Sequence, residues 1–561
     1  MPWIGIDLGT TNCAAAVWDS TRGRPKSIRF GSSSAQQEHD KKASRILRST
    51  LQLTRDEGLD VSEIVQQSRV YAVVGQEKGL TSLKRRIDEP LLQASIVRGG
   101  VQSTSSNGEE TIPLTPTQGL AILLLYMRTA CENYLERERT RKHLQIPDGP
   151  SYFCTIGVPA HWSQAQRSKV VQAAHLAGWQ HVSTLIESTA AAMAYGLLET
   201  CQKTILVLDM GGGTTDVTIA EAQRVVVTLG DEALGGDDVD RLLLSSMLSS
   251  EMCDDQSLLR QCRTAKERLS GEGAEGSTSE TIVVQGTSHT LTRATIEPLL
   301  SGLLERIRQL VTRALDLYEL KCGNRRMDEV VLVGGSSRLW CVRELLQSLF
   351  PSVELCTSVP TMRAVSQGCA IHAALQSGLV PKHELESALM LDSVPHSIGV
   401  WMEDDYVELI SAQTALPAKG YASFALASVK QAGVSIRVVE RVEETDGQVS
   451  YPLVGEFSFL LYKPPTLPAQ RKIEVGFVLD SDGRFICSIY DDMDPDHQRK
   501  RRLAGDRFPG KVADDPIVSN GLSAAEFCLV LLLVILFVLY IVFKIVFGPD
   551  LLTAADSKVD L

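Results

Sequence analysis

Apolar and polar positions fall along the chain into two textures that meet near residue 398. Before that point, short apolar runs end in Gly/Thr-rich turns and alternate with longer stretches of helical period; after it, runs of six to eight residues alternate at every second position. Residues 3–18 predict an apolar strand, a tight turn and a second strand, and 204–220 repeat the same grammar. The two turns echo each other, DLGTT at 7–11 and DMGGGTTD at 209–216, and this is the main internal repeat. Residues 152–158 read as a buried strand between two helical patterns, one over 117–135 with a Thr-Pro-Thr start and one over 163–177. Polar stretches at 32–42 and 101–110 read as surface loops.

Beyond the boundary, residues 406–411, 421–426, 434–440, 456–461, 472–479 and 485–490 predict the strands of an all-β domain. Ile473, Val475 and Phe477 share one face by the two-residue period, and Asp482-Gly483 supplies a hairpin turn. The string ESALMLD at 386–392, between Pro381 and Pro395, reads as a linker. The predicted organisation is therefore an α/β domain over 1–380, a linker over 381–397 and a β-sandwich over 398–492. A basic flexible tether over 493–526, an apolar span over 527–547 and a short tail over 548–561 complete it.

Composition changes this picture little, except at the C-terminal end. A net charge of −12 and a single dense basic run, Arg499 to Arg502, exclude nucleic acid as a partner. The twelve cysteines show no CxxC pair and no spacing suited to zinc, which fits a reducing compartment. Phe527 to Phe547 is broken only by Lys544, and at about 1.5 Å per residue it reaches about 31 Å, the depth of a hydrocarbon core. With basic residues upstream and an acidic tail, the expectation is a single-pass tail anchor that leaves the bulk of the chain cytosolic. The long apolar span and acidic tail favour the endoplasmic reticulum over the mitochondrial outer membrane.

Two Gly/Thr-rich turns, each opened by an aspartate at a strand end, suit a nucleoside triphosphate. Backbone N–H groups in such turns cradle phosphate oxygens, glycines permit close approach, and threonine hydroxyls add donors. The aspartates fit a hard cation such as Mg²⁺.

These residues resemble the ATPase domain of the seventy-kilodalton heat-shock family. The resemblance runs through IGIDLGTTN (4–12), LKRRI (83–87), IGVPAHWSQAQR (156–167), IESTAAAMAYG (186–196), LVLDMGGGTTDV (206–217), LGGDDVD (234–240), CRTAKERLS (262–270) and VVLVGGSSR (330–338). It implies an actin-like fold of two duplicated lobes around a cleft, in agreement with the internal repeat. It also implies slow ATP hydrolysis coupled to polypeptide binding, with ATP and Mg²⁺ as ligands. Asp7 and Asp209 then orient the hydration shell of the metal, while Gly9, Thr10, Thr11, Gly211, Gly212, Gly213 and Thr214 hold phosphates. Lys84 matches the lysine that positions the attacking water, and Glu187 and Asp216 match carboxylates near it. Gly235 and Gly236 match nucleotide-binding positions, Lys266, Ser270, Gly334, Gly335 and Arg338 match the adenosine pocket, and Pro159 and Arg167 match positions that couple the cleft to the second domain.

Departures from the family gather at the base and sugar. Arg263 stands where glutamate is usual, Glu267 where many members have a base-stacking arginine, Asn12 for an aromatic, Ser188 for proline and Met362 for aspartate. The β-domain resembles the family's peptide-binding sandwich, with Val400, Phe424, Ala427, Val434 and Ile436 on the positions that line its channel; simple alternation predicts the same residues as sandwich core. The 34 polar residues before the apolar span leave no room for a helical lid. The resemblance implies a membrane-anchored chaperone at the cytosolic face that binds unfolded or nascent polypeptides, with J-domain co-chaperones and nucleotide-exchange factors as partners. A non-hydrolysing or regulatory co-chaperone scaffold is the alternative. A small-molecule kinase of the same superfamily would lack the linker and sandwich.

Overall fold

Two β-sheets with the same strand plan form the heart of the first domain. In one, the order is His181–Ile186, Phe153–Val158, Trp3–Leu8, Asn12–Asp19, Arg24–Ser27; in the other it is Leu355–Cys356, Glu329–Val333, Thr204–Met210, Thr215–Glu221, Arg224–Asp231. Each sheet joins an antiparallel meander to two parallel strands at the same central strand, so the sequence echo is a structural duplication. The computed structural model describes residues 3–504 outside 21, 31–43, 56–57, 67–69, 75–78, 98–110, 141–152, 197–202, 223, 249–254, 272–276, 357–359, 378–391, 403–404, 429, 444–447, 462–470, 481–484, 492 and 495–499.

Helices cover both sheets. The helix Pro116–Thr140 buries Leu120, Leu124, Met127, Cys131 and Tyr134, a spacing of three and four that makes one apolar stripe. Its start is capped reciprocally: the Gln118 amide donates to Thr115 Oγ1 at 3.2 Å and the Thr115 amide donates to Gln118 Oε1 at 2.9 Å, with Pro116 at the first helical position. Ser163 and Gln166 cap the helix Gln164–Leu176 in the same way. Helices Glu187–Gly196 and Ala364–Gln376 are buried almost throughout, because they pack between the two lobes. An additional five-stranded sheet built from residues 51–114 extends the first lobe, and a two-stranded one, Glu280–Val284 with Thr287–Leu291, extends the second.

The second domain is a sandwich of two antiparallel sheets. One runs Asp405–Ile410, Ser397–Met402, Gly433–Glu443, with Val449–Ser450 and Leu453–Leu460 both pairing with Gly433–Glu443; the other runs Ala418–Ala425, Lys472–Leu479, Phe485–Asp491, Lys500–Ala504. Phe457, Phe477 and Phe485 fill its centre, with the last two rings 5.0 Å apart and tilted. Arg471 and Asp491 form an ion pair inside it, with side chains 1% and 3% exposed. The strands expected from alternation are all present, and the turn at Asp482-Gly483 lies outside the described residues although the strands on either side pair as a hairpin.

One expectation needs correction. Lys500–Ala504, read as part of a flexible tether, is a strand paired antiparallel with Phe485–Asp491. It sits at a sheet edge, joined to its neighbour by the ladder hydrogen bonds. The apolar span 527–547, the tail and most of the linker lie outside the described residues. Among those described, no helix is long and apolar enough to cross a membrane.

The packing gives a first prediction. Phe477→Ala should destabilise the sandwich by about 3–5 kcal/mol, the usual loss when a core phenylalanine is truncated. In calorimetry the transition of the sandwich should move down or vanish while that of the nucleotide-binding lobes stays in place.

Candidate nucleotide site

The two Asp-led turns face each other across the cleft. In the first hairpin Asp7 pairs with Ala14 and Leu8 with Cys13, which leaves residues 9–12 as the turn; in the second Asp209 pairs with Asp216 and Met210 with Thr215. The second turn is closed by the Gly211 amide donating to the Thr214 carbonyl at 2.9 Å. The turns nearly touch: a Cβ at Gly213 would lie 2.9 Å from Thr10 Oγ1, and one at Gly212 would collide with Thr11 Oγ1. The helix Gly236–Met247 is fastened to the second turn, because the Gly236 and Asp237 amides donate to the Gly211 and Gly212 carbonyls at 3.0 and 2.7 Å. Thr11 Oγ1 donates across the cleft to Asp237 Oδ1 at 3.1 Å. Gly334 adopts φ +80° at the end of its strand, where a side chain would run into the Met210 carbonyl and Asp209.

Between these elements lies a cavity of about 350 Å³. Its wall includes Asp7, Gly9, Thr10, Thr11, Lys84, Glu187, Asp209, Gly211, Gly212, Thr214, Gly236, Lys266, Ser270, Gly334, Gly335 and Arg338, so nearly all the residues singled out from the sequence converge on one place. Asp216, Gly213 and Gly235 stand just behind the wall, and Asp216 is 1% exposed. The departures Asn12, Arg263, Glu267 and Met362 line the same cavity. Ser188 does not; it is buried and hydrogen-bonds Thr218 at 2.5 Å.

The floor is strongly charged. Lys84, 3% exposed, is ion-paired with Glu187 and lies 5.6 Å from the centre of the Trp162 ring. Burial pulls the Lys84 ammonium down, but Glu187, Asp7 and Asp216 together more than reverse that and hold it above its usual value. Burial pushes the Asp7 carboxyl up to about 7, with Glu187 adding to the rise and Lys84 opposing it. Asp209 is driven well above the usual carboxylate range, by burial first and then by Glu187, Asp216 and Asp7. Glu187 is also raised, by burial, in spite of Lys84.

Three buried carboxylates and the half-buried Asp7 around Lys84 make a site short of positive charge, and this fits a divalent cation. Among the described residues no three His, Cys, Asp or Glu side chains converge to hold an ion directly. Asp7 and Asp209 would therefore hold it as a pair, with the remaining ligands coming from phosphate oxygens and water.

The other end of the cavity is cross-tied. Arg263 donates from Nη2 to Asp237 Oδ1 at 2.8 Å and from Nε to Asp240 Oδ2 at 3.0 Å, while Lys266 donates to the Gly236 carbonyl at 2.6 Å and pairs with Asp240 at 2.6 Å. Ser270 donates to the Lys266 carbonyl at 2.8 Å, and Arg338 is exposed.

The expected coupling residues lie where the two domains meet. Pro159 opens a turn whose next amide, that of Ala160, donates to Asp216 Oδ1 at 3.2 Å. Arg167 is buried and donates to the Trp162 carbonyl at 3.2 Å; three residues before it, the Gln164 amide donates to Glu440 of the sandwich at 2.7 Å. Of the expected peptide-channel positions, Val400 and Ile436 are core residues at 4% exposure, Phe424 and Val434 are half-buried against that core, and Ala427 is exposed. Sequence reasoning missed Trp162, His161 and the carboxylates that hold Arg263. The first two lie inside the quoted segment 156–167, and the excess of acids around the Gly-Gly-Asp-Asp run was the visible hint of the third.

Duplicated lobes closed over paired phosphate-type turns, followed by a β-sandwich, define the class of ATP-binding chaperones built on this plan. The chain belongs to the Hsp70 family, whose model, described as Hsp70 protein, matches residues 3–506. It is 30% identical over 513 residues to the chaperone protein DnaK of Prochlorococcus marinus (strain MIT 9515), an alignment covering 86% of this chain and 74% of that protein.

The charged floor carries a pH prediction for the nucleotide-free protein. Because the folded state raises the Asp7 pKa to about 7, its contribution to stability is full below the unfolded value near 3.8 and is lost as pH rises through about 7. Asp7→Asn should therefore melt above the wild type at pH 7.5, by at least about 1 °C, the shift that about 1 kcal/mol makes in a domain of roughly 380 residues. The gap should narrow toward pH 5, and Mg²⁺ should raise the melting point of the wild type more than that of the variant.

Proposed function

We propose that the chain is a slow ATPase that uses nucleotide turnover to bind and release unfolded or nascent polypeptides, and that it is attached to a membrane by the apolar span 527–547. The observation that carries the first part is the buried Lys84–Glu187 pair at the floor of the cavity, set between the Asp7 and Asp209 turns. An ammonium group has three donors, and the bond to Glu187 uses one of them, which leaves two for a γ-phosphate oxygen and a water. Glu187 and Asp216 are the carboxylates that would take the proton of that water. A magnesium ion held by Asp7 and Asp209 would neutralise developing phosphate charge, and the turn amides and threonine hydroxyls would hold the β- and γ-phosphates in line.

The sandwich supports the polypeptide half. Phe424 and Val434 are half-buried against the sandwich core, and apolar side chains at that depth suit extended segments rich in leucine. J-domain co-chaperones and exchange factors are the partners that such a cycle calls for. The endoplasmic reticulum is the membrane proposed; a reporter fused to the last 60 residues should reach it, and mitochondrial targeting would overturn that assignment.

The cross-tied nucleoside end favours a second reading, a regulatory scaffold that holds nucleotide loosely and does not hydrolyse it. Arg263 spends its donors on Asp237 and Asp240, and a carboxylate at Glu267 offers no cation to stack on a base. Single-turnover hydrolysis of Mg·ATP by the full chain in mild detergent, beside Lys84→Ala, separates the two. The ATPase reading expects turnover that falls at least about a hundredfold in the variant, the scale of losing one preorganised charge-stabilising donor. It also expects stimulation by an unfolded peptide. Equal inertness of both proteins with nucleotide bound would establish the scaffold.

A further inference from the structure

The turn that follows Pro159 touches the hydrolytic floor three times in three consecutive residues. The Ala160 amide donates to Asp216 Oδ1 at 3.2 Å, the His161 ring lies between Asp216 and Glu232, and the Trp162 ring lies 5.6 Å from the Lys84 ammonium. His161 is the unusual member. Its Nδ1 is 3.6 Å from Asp216 Oδ1 and its Nε2 is 3.4 Å from Glu232 Oε2, with the side chain only 12% exposed. Both ring nitrogens are buried, and neither makes a closer hydrogen bond among the described residues. An imidazole placed between two carboxylates with each nitrogen aimed at one of them is a geometry for the doubly protonated ring, in which both nitrogens donate.

The surroundings agree. Burial alone would push His161 down, yet Asp216 and Glu232 carry it up to about 9. Glu232 is lowered, with His161 as the first cause. The other charged groups that bear on this pocket are Glu187, whose rise His161 opposes, Arg167 and His396 on the sandwich side, and Arg85 facing Glu232. The backbone has been kept clear for the ring, since a Cβ at Gly230 would lie 2.8 Å from His161 Nδ1 and collide with Asp216 Oδ1. Finally, the His161 carbonyl accepts a 2.6 Å hydrogen bond from Nε2 of His396, which lies immediately before the first sandwich strand, Ser397–Met402.

We propose that His161 is a positioning residue for hydrolysis: a buried imidazolium that props the Asp216 carboxylate from behind, on a backbone that His396 of the second domain grips. The proposal rests on the ATPase reading above and adds to it the residue through which docking of the sandwich reaches Asp216. His161 touches no substrate. It fixes where Asp216 sits, and loss of the His396 bond frees the turn that carries it.

The test uses the full chain in mild detergent and has two independent readouts. In single-turnover hydrolysis at saturating Mg·ATP, His161→Gln should slow the chemical step roughly tenfold to a hundredfold, the scale of misplacing one group at a reacting centre, with ATP affinity unchanged within about twofold. His396→Ala should give a smaller loss of the same kind. The cation is present below about pH 9 and lost above it, so the wild-type rate should fall as pH climbs through about 9, and the His161→Gln profile should lack that limb. An active wild type with an unimpaired His161→Gln variant overturns the proposal. A variant that merely unfolds would lose nucleotide affinity as well, and an inert wild type would sink the ATPase reading. In either case selective ¹⁵N-histidine NMR on the folded wild type decides about His161: protonation of both ring nitrogens through pH 8, lost in Asp216→Asn, supports the prop, and titration near the ordinary midpoint refutes it.

Discussion

The buried pair of Lys84 and Glu187 is the constraint around which the first domain is arranged. Two charges taken out of water gain little net stability from each other, because desolvation consumes most of the attraction. Here the cost is larger still, since Asp7, Asp209 and Asp216 crowd the same floor. The fold bears this by assigning each partner to a separate rigid element. Lys84 comes from the extension of the first lobe, Glu187 from the start of a fully buried helix, and the aspartates from central strands of both sheets. Trp162 lies over the ammonium and shields it, so the charge deficit is preserved for a ligand that brings both cation and phosphate.

The two ends of the cavity are built on different principles. The phosphate end is made largely of backbone, two turns and a helix start laced by amide-to-carbonyl bonds, and it tolerates side-chain drift because the donors belong to the main chain. The nucleoside end is made of side chains, and there the chain has spent its charges internally, with Arg263 and Lys266 bound to Asp237 and Asp240. On the proposed reading, such a site would hold triphosphate and metal more firmly than base and sugar.

This division also explains what was legible in the sequence. The hairpins at residues 3–19 and 204–221 were readable because an apolar run, an aspartate and a Gly/Thr turn form a local signal, repeated once. The sandwich strands were readable because one face is buried, and alternation records that directly. Lys500–Ala504 was not readable, because an edge strand of basic residues is specified by its neighbour's free backbone rather than by its own pattern. Nor were Arg263's partners or the place of His161: each depends on contacts between residues 23 to 71 positions apart, and single-residue chemistry does not reveal which carboxylate will face which cation.

The contact between the domains is of a different kind from the cores on either side. The apolar core of the sandwich is separate from the clusters that fill the two lobes, and bonds that cross are polar, among them Gln164 amide to Glu440, Thr228 with Gln413 in both directions at 2.7 and 2.8 Å, Lys321 to the Gln413 carbonyl at 3.2 Å, Arg313 with Glu443 at 3.4 Å, and His161 carbonyl with His396. Burial pushes Glu440 up to about 7, so even the carboxylate that receives the Gln164 amide is poorly accommodated there as an anion. Asp392, at the end of the linker, is likewise raised by burial while it accepts from Thr189 Oγ1 at 3.1 Å. An interface held by a few hydrogen bonds, each replaceable by water at a net cost of about 0.5–1.5 kcal/mol, separates far more easily than one sealed by apolar area. Such a contact suits the proposed cycle, in which the second domain docks behind the turn that carries His161 and parts from it again.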